Sequence, residues 1–204
     1  MIFQYTCKWI ILPSPTGELK TNTRRLVKAG EKLFELTTVK GVKVPIGVLS
    51  ANGNMKWAIG KSYAVQPGRG KPAIWWREVE IPDGAYEIGA FPSYQIIYAH
   101  QASSPDGHET FYDYSGGNEY ILRNAGYQPL RIRITDIRRE DVRKISEADA
   151  RAEGFTSSLE FLRVWCGMHD KGAIKASQAG DYLMLGARPA ALYDAWALTF
   201  EAVR

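Results

Sequence analysis

Metal and disulfide chemistry have little to work with in this chain. Its 204 residues include two cysteines, Cys7 and Cys166, and three histidines, His100, His108 and His169. Neither cysteine sits in a Cys-x-x-Cys pair, and the scattered histidines complete no zinc spacing. No metal and no cofactor are expected, and the thiols are expected to be reduced, as in a cytoplasmic protein. Long apolar runs are missing too. None approaches the roughly 20 residues that span a bilayer. The segment Met1–Lys8 has no basic stretch leading into an apolar one, so it does not read as a signal peptide. A membrane partner is therefore not expected. The chain also lacks internal repeats, a Gly-x-Ser-x-Gly elbow, a Cys–His pairing and an acidic cluster of the two-metal nuclease kind.

What is present is an ordinary globular composition. Hydrophobic residues make up 45% and charged residues 24%, close to the average for folded domains. The length suits one hydrophobic core, so a single domain over residues 1–204 is expected. The 26 basic and 22 acidic residues leave a formal charge of +4. That permits an anionic partner without demanding one. Nothing in the composition sets the oligomeric state.

Strand signals dominate. Phe3–Leu12 reads as a strand, stopped by Pro13–Gly17. Val42–Trp57 reads as a hairpin that turns at Asn52–Gly53, with a two-residue type I′ turn. Lys61–Gln66 and Ala73–Ile81 read as further strands, the second carrying Trp75 and Trp76 on opposite faces. From Leu130 to Val142, alternation turns Leu130, Ile132, Ile134 and Ile137 inward and Arg131, Arg133 and Arg138 outward, with a bend near Thr135–Asp136. Ser146 is the N-cap of a short helix, supported by Asp149 and stopped by Gly154. Ser157 and Glu160 open a second helix, which places Leu159, Leu162, Trp165, Cys166 and His169 on one side. Ala195–Val203 closes the pattern as a strand with Trp196, Leu198, Phe200 and Ala202 on one face. Many strands with helices gathered late give an α+β class. A polar insertion at about 85–127 interrupts the pattern. Its part from 100 to 127 is a long loop, either a lid or an inert excursion.

Three places hold residues with chemical potential. Glu153 stands at the end of its helix, where the macrodipole disfavours a carboxylate by roughly 0.3–1 kcal/mol. It is either solvated there or held by a cation. Lys20 and Thr23 lie three apart: in a turn they share a side, in a strand they face opposite ways. Arg24, Arg25 and Lys28 crowd positive charge near Lys20, which favours its neutral amine and so a base near neutral pH. The plain alternative is a solvated basic loop. Ala64–Lys71 carries Gln66, Gly68, Arg69 and Gly70, a turn whose glycines allow close backbone approach to a ligand. It is not a Walker A loop, since Pro72 follows Lys71. Among many core aromatics, one or two suit stacking on a base.

Leu19–Arg25, Tyr63–Lys71, Arg133–Arg138, Ile145–Gly154 and Trp196–Glu201 together resemble segments of the ASCH family, whose fold is a PUA-like β-barrel. The resemblance covers most of the chain outside the insertion. It departs at Glu18–Leu19, where the family has glycine and a basic residue. It implies a PUA-like barrel with a few short helices. It also implies one of two functions, since ASCH proteins are proposed to bind RNA and some are amidohydrolases that deacylate the exocyclic amine of cytidine. The lysine, threonine and glutamate of those enzymes match Lys20, Thr23 and Glu153.

On this basis the expected activity is hydrolysis of an N-acylated cytosine or cytidine, a small-molecule nucleoside substrate. Neutral Lys20 would take the proton of Thr23, Thr23 would attack the acyl carbonyl, and Glu153 would hold Lys20 or relay a proton to the leaving amine. A variant has Thr23 only position a water. Arg24, Gln66, Arg69 and Trp75 are the candidate substrate-binding residues, with Arg24 the candidate oxyanion donor. The competing expectation is a non-catalytic RNA-binding domain, with Arg24, Arg25, Arg69, Lys71, Arg131 and Arg133 on phosphates.

Overall fold

Among the described residues, alternating apolar residues and β-branched runs produce ten strands, and two local capping signals produce two well-defined α-helices. The computed structural model describes residue 10 and residues 14–66, 74–79, 93–97, 123–124, 126–170, 173 and 188–203. The chain divides into two compact units. One comprises Met1–Leu12, Ser62–Ile132 and Ala202–Arg204, the other Pro13–Lys61 and Arg133–Glu201.

The second unit holds β1 (Asn22–Leu26), β2 (Lys32–Thr37), β3 (Lys43–Leu49), β4 (Met55–Ala58), most of β9 (Arg131–Asp141) and most of β10 (Asp194–Val203). β10 lies between β1 and β9 in its sheet. Its register against β1 is antiparallel, with Thr23 opposite Leu198, Arg24 opposite Ala197 and Arg25 opposite Trp196. A central strand is covered on both faces, and Ala195, Trp196, Ala197 and Leu198 are all buried. Along β9, Ile132, Ile134 and Ile137 are buried. The phase slips by one residue at Thr135–Asp136, where the bend is expected. β2, β3 and β4 form a separate antiparallel sheet in that order.

Both helices begin, and the first ends, where the sequence places them. Ser146 caps α1 (Glu147–Ala152) by accepting from the Asp149 N–H. Gly154, at φ 91°, ends it in a Schellman motif: its N–H donates to Arg151 O, and the Phe155 N–H donates to Ala150 O. Ser157 caps α2 (Ser158–His169) through the Glu160 N–H. The Glu160 carboxylate reaches Thr156 rather than Ser157. The buried stripe of α2 is Phe161, Trp165 and Cys166, which pack with Val142, Ala150, Tyr193 and Ala195. Leu159, expected on that stripe, is 43% exposed instead, because the buried side runs through Phe161. Cys166 is a buried free thiol.

The β3–β4 hairpin also differs from expectation. The loop is longer than a type I′ turn: Gly53 N–H donates to Ser50 O and Ser50 N–H to Asn54 O. Gly53 takes the positive φ, at 81°, but as the last residue of the four-residue turn Ser50–Gly53.

The first unit holds β5 (Ser62–Ala64), β6 (Trp75–Val79), β7 (Ser93–Ile97), β8 (Gln128–Pro129) and the first two residues of β9. β6 lies between β7 and β8, so Pro129, which has no N–H to give, falls on an edge strand. Trp75 and Trp76 are both buried. The architecture is α+β, and no closed barrel forms among the described residues. The expected strand Phe3–Leu12 (apart from Ile10), the turn Pro67–Lys71 and nearly all of the insertion lie outside the described residues.

Candidate active site

The segment that leads into β1 is extended. Phe200 N–H donates to Thr21 O, and Thr21 N–H donates to Ala152 O at the end of α1. This backbone pairing seats Lys20, Asn22 and Arg24, which share one face by alternation, against α1. Of the two geometries open to Lys20 and Thr23, the strand geometry holds. Thr23 shares the face of Leu198, opposite to Lys20.

Lys20 and Glu153 are 133 positions apart and meet at 2.6 Å through Nζ and Oε2. Lys20 Nζ also donates to the backbone oxygen of Glu153 at 2.7 Å. The ammonium thus caps the C-terminal end of α1 while it pairs with the carboxylate of the C-cap residue. Here is the cation that a glutamate at a helix end calls for. Side-chain exposure is 1% for Lys20 and 5% for Glu153. Burial pushes the pKa of Lys20 down; Glu153 opposes that shift, while Arg25 and Arg24 add to it.

Arg24 lies beside this pair. Nη1 donates to Glu153 Oε1 at 3.3 Å and Nε to Glu140. Nη2 is 3.3 Å from Asp149 Oδ1, within ion-pair range, but not aligned for a hydrogen bond. Asn22 Nδ2 donates to the same Asp149 oxygen at 3.2 Å, and Arg138 Nη2 donates to it at 2.9 Å. Three cations, Lys20, Arg24 and Arg138, therefore face three carboxylates, Glu140, Asp149 and Glu153. Asn22 Oδ1 is a buried polar atom left without a hydrogen-bond partner, and Arg24 Nη2 has only its ion-pair contact to Asp149.

Comparisons with family models, with curated proteins and with solved structures return no match.

The structure brings together Lys20, Arg24 and Glu153. Thr23 is adjacent in sequence and 3% exposed, but on the other face of the strand. Gln66 and Trp75 belong to the other compact unit. There Trp75 is buried in a small cluster with Tyr127, and the Arg123 guanidinium lies 5.4 Å from its ring centre. Arg69 and Lys71 lie outside the described residues. Arg131 and Arg133 are exposed, and Arg133 pairs with Glu201 at 3.2 Å. Sequence reasoning missed Asn22 and Glu140, and gave Asp149 a capping role only. The signal for Asn22 was its place between Lys20 and Arg24 in a strand.

Among the described residues, no group of His, Cys, Asp or Glu is placed to hold a metal ion. The three carboxylates are occupied by cations of the protein itself. A second buried network ends α2: the Asp170 carboxylate accepts from Tyr193 Oη at 2.8 Å and from Arg188 Nε at 2.7 Å. Its partners hold the Asp170 pKa well below the usual carboxylate range, Arg188 first and Tyr193 after it, against the opposing effect of burial.

Proposed function

We propose that the chain is an amidohydrolase that removes an acyl group from the exocyclic amine of a cytosine-type nucleoside, on a PUA-like scaffold of the ASCH kind. One observation carries the reading. The two titratable residues that the ASCH resemblance requires, Lys20 and Glu153, meet at 2.6 Å despite a separation of 133 residues.

Three features support their use as a proton-handling pair. Burial lowers the Lys20 pKa, which favours the neutral amine that a base needs. Glu153 is positioned to return a proton to the leaving amine. Arg24 Nη2 is a buried N–H donor without an aligned acceptor, the kind of group that stabilises a tetrahedral oxyanion. The opposite facing of Lys20 and Thr23 favours the variant in which Lys20 and Glu153 activate water. Thr23 then acts on position rather than as nucleophile. With the Lys20 side chain 1% exposed, turnover on this reading passes through a more open state than the one described.

The RNA-binding alternative has less support. Arg24, one of its phosphate contacts, is 4% exposed and tied to carboxylates.

The test is release of cytidine from N-acetylcytidine, followed by absorbance, for wild type, Lys20→Met, Glu153→Gln and Thr23→Val. Turnover lost in the first two variants and reduced in the third is the expected result. Turnover that survives Lys20→Met removes the base from the reading. Trapping of an acyl group on Thr23 restores the nucleophile variant. No turnover of any acylcytidine overturns the function.

A further inference from the structure

The net charge of the chain is unevenly placed. Residues 27–61 contain six lysines (28, 32, 40, 43, 56 and 61), two glutamates (31 and 35), and neither arginine nor aspartate. That segment alone carries +4, equal to the formal charge of the whole chain. The rest of the chain, taken together, therefore sums to zero.

The same segment forms the β2–β3–β4 sheet, and its hairpin tip is apolar as well as basic. Leu36 stands opposite Val44 in the register. Thr38 N–H donates to Val42 O, and Gly41 N–H to Thr38 O, which closes the tip over Val39 and Lys40. Alternation gives Leu36, Val42 and Val44 one face. These side chains are 52%, 58% and 39% exposed, and Val39 at the tip is fully exposed. Lys40 and Lys43 are exposed, and residues 36–44 contain no acidic residue. Among the described residues neither lysine has an ion-pair partner.

We propose that this hairpin tip docks on an anionic lipid surface, with Val39 and its aliphatic neighbours at the headgroup boundary and Lys40 and Lys43 against the acidic headgroups. The chemistry selects this partner. Aliphatic side chains flanked by lysine gain from apolar burial and from the surface potential together. A nucleic acid rewards arginine, polar side chains and stacking aromatics at its bases. The tip from 36 to 44 offers two lysines, two threonines and four aliphatic residues instead. A second copy of the chain brings the same positive charge to the contact, which disfavours self-pairing there. The contact is peripheral: among the described residues no helix is long and apolar enough to cross a membrane.

The experiment is sedimentation of the full chain with vesicles of phosphatidylcholine alone and with added phosphatidylserine. The expected result is binding to the phosphatidylserine vesicles only, weakened by added salt. Val39→Asp and Lys40→Glu each lower the partition by about ten-fold. Arg163→Glu, an exposed change of equal charge on α2, leaves it unchanged. Urea unfolding of each variant confirms that the fold is kept, and cytidine release reports separately on the Lys20 site. Absence of vesicle binding overturns the proposal. So does vesicle binding that Arg163→Glu weakens as much as Lys40→Glu, since bulk charge then explains it. Salt-sensitive binding of an RNA oligomer with no binding to vesicles assigns the tip to nucleic acid instead.

Discussion

The β1–α1 face and the β2–β3 tip are two ways of placing charge. On the first, Lys20, Arg24 and Arg138 each touch a carboxylate. Lys20, Arg24 and Glu153 are almost wholly shielded from solvent. On the second, Lys40 and Lys43 stand in water. A charge withdrawn from water needs a partner at short range or its cost is several kcal/mol. A charge left in water needs none and acts at a distance set by salt. The first arrangement fixes geometry. The second leaves geometry free and sets what the surface attracts. Strand alternation decides which fate applies: even positions from Lys20 to Arg24 meet α1, whereas residues 38–41 project beyond any packed layer.

Removal of one buried partner is the harshest way to break the contrast. Glu153→Gln leaves Lys20 and Arg24 buried beside a neutral amide, and is expected to lower unfolding free energy in urea by about 3–5 kcal/mol. Asp170→Asn attacks the second buried network, at an expected cost of about 1–3 kcal/mol at neutral pH. The sign with pH follows from the depressed Asp170 pKa. Its contribution is present above the ordinary carboxylate range and is lost as pH falls through the folded value. The gap between wild type and Asp170→Asn therefore narrows in acid, and unfolding curves at neutral and acidic pH check it.

Removal of both buried charges sharpens the question. Lys20→Met with Glu153→Leu replaces the pair by apolar groups, and is expected to leave stability within about 1–2 kcal/mol of wild type. If the pair only braces the fold, function survives in this variant; on the proposed function, cytidine release is abolished. For Lys20 the folded pKa lies below its ordinary value. Neutral lysine then accumulates as pH rises into that window, so cytidine release and the Lys20 contribution to stability both increase with pH there. At the small end, Lys40→Glu and Lys43→Glu are expected to shift stability by no more than about 0.5 kcal/mol. A larger shift shows that the tip is packed against something after all.

The elements legible in the sequence are those whose causes are local. Ser146, Gly154 and Ser157 fix the helix ends through contacts within five residues. The slip at Thr135–Asp136 follows from isoleucines at 134 and 137, which cannot both obey a period of two. What escaped had non-local causes. Asp149 already had a capping task, so nothing marked it as the partner of Asn22 and Arg138. Glu140 has no anomaly of its own and is recruited only because β9 passes Arg24. Glu153 did announce a missing cation, but the periodicity of the chain does not say which cation answers. The charge around Lys20 marked it as a candidate base, the resemblance put it in one site with Glu153, and the fold gave their distance. The type of the Asn52–Gly53 turn depended on hydrogen bonds from Ser50 that the dipeptide does not encode.

The central place of β10 has a consequence for the order of synthesis. All five ladder partners of β1 lie on residues 195–199. A ribosome that has reached the C-cap of α1 has already polymerised Lys20, Arg24, Glu140, Asp149 and Glu153. It has not yet made the strand that holds β1 in register. Until residues 194–203 emerge, β1 lacks the ladder that holds Lys20 and Arg24 against α1, so the face assembles only once β10 is in place. A nascent chain that stalls before that point leaves β1 without its ladder partner, an edge open to chaperones and proteases.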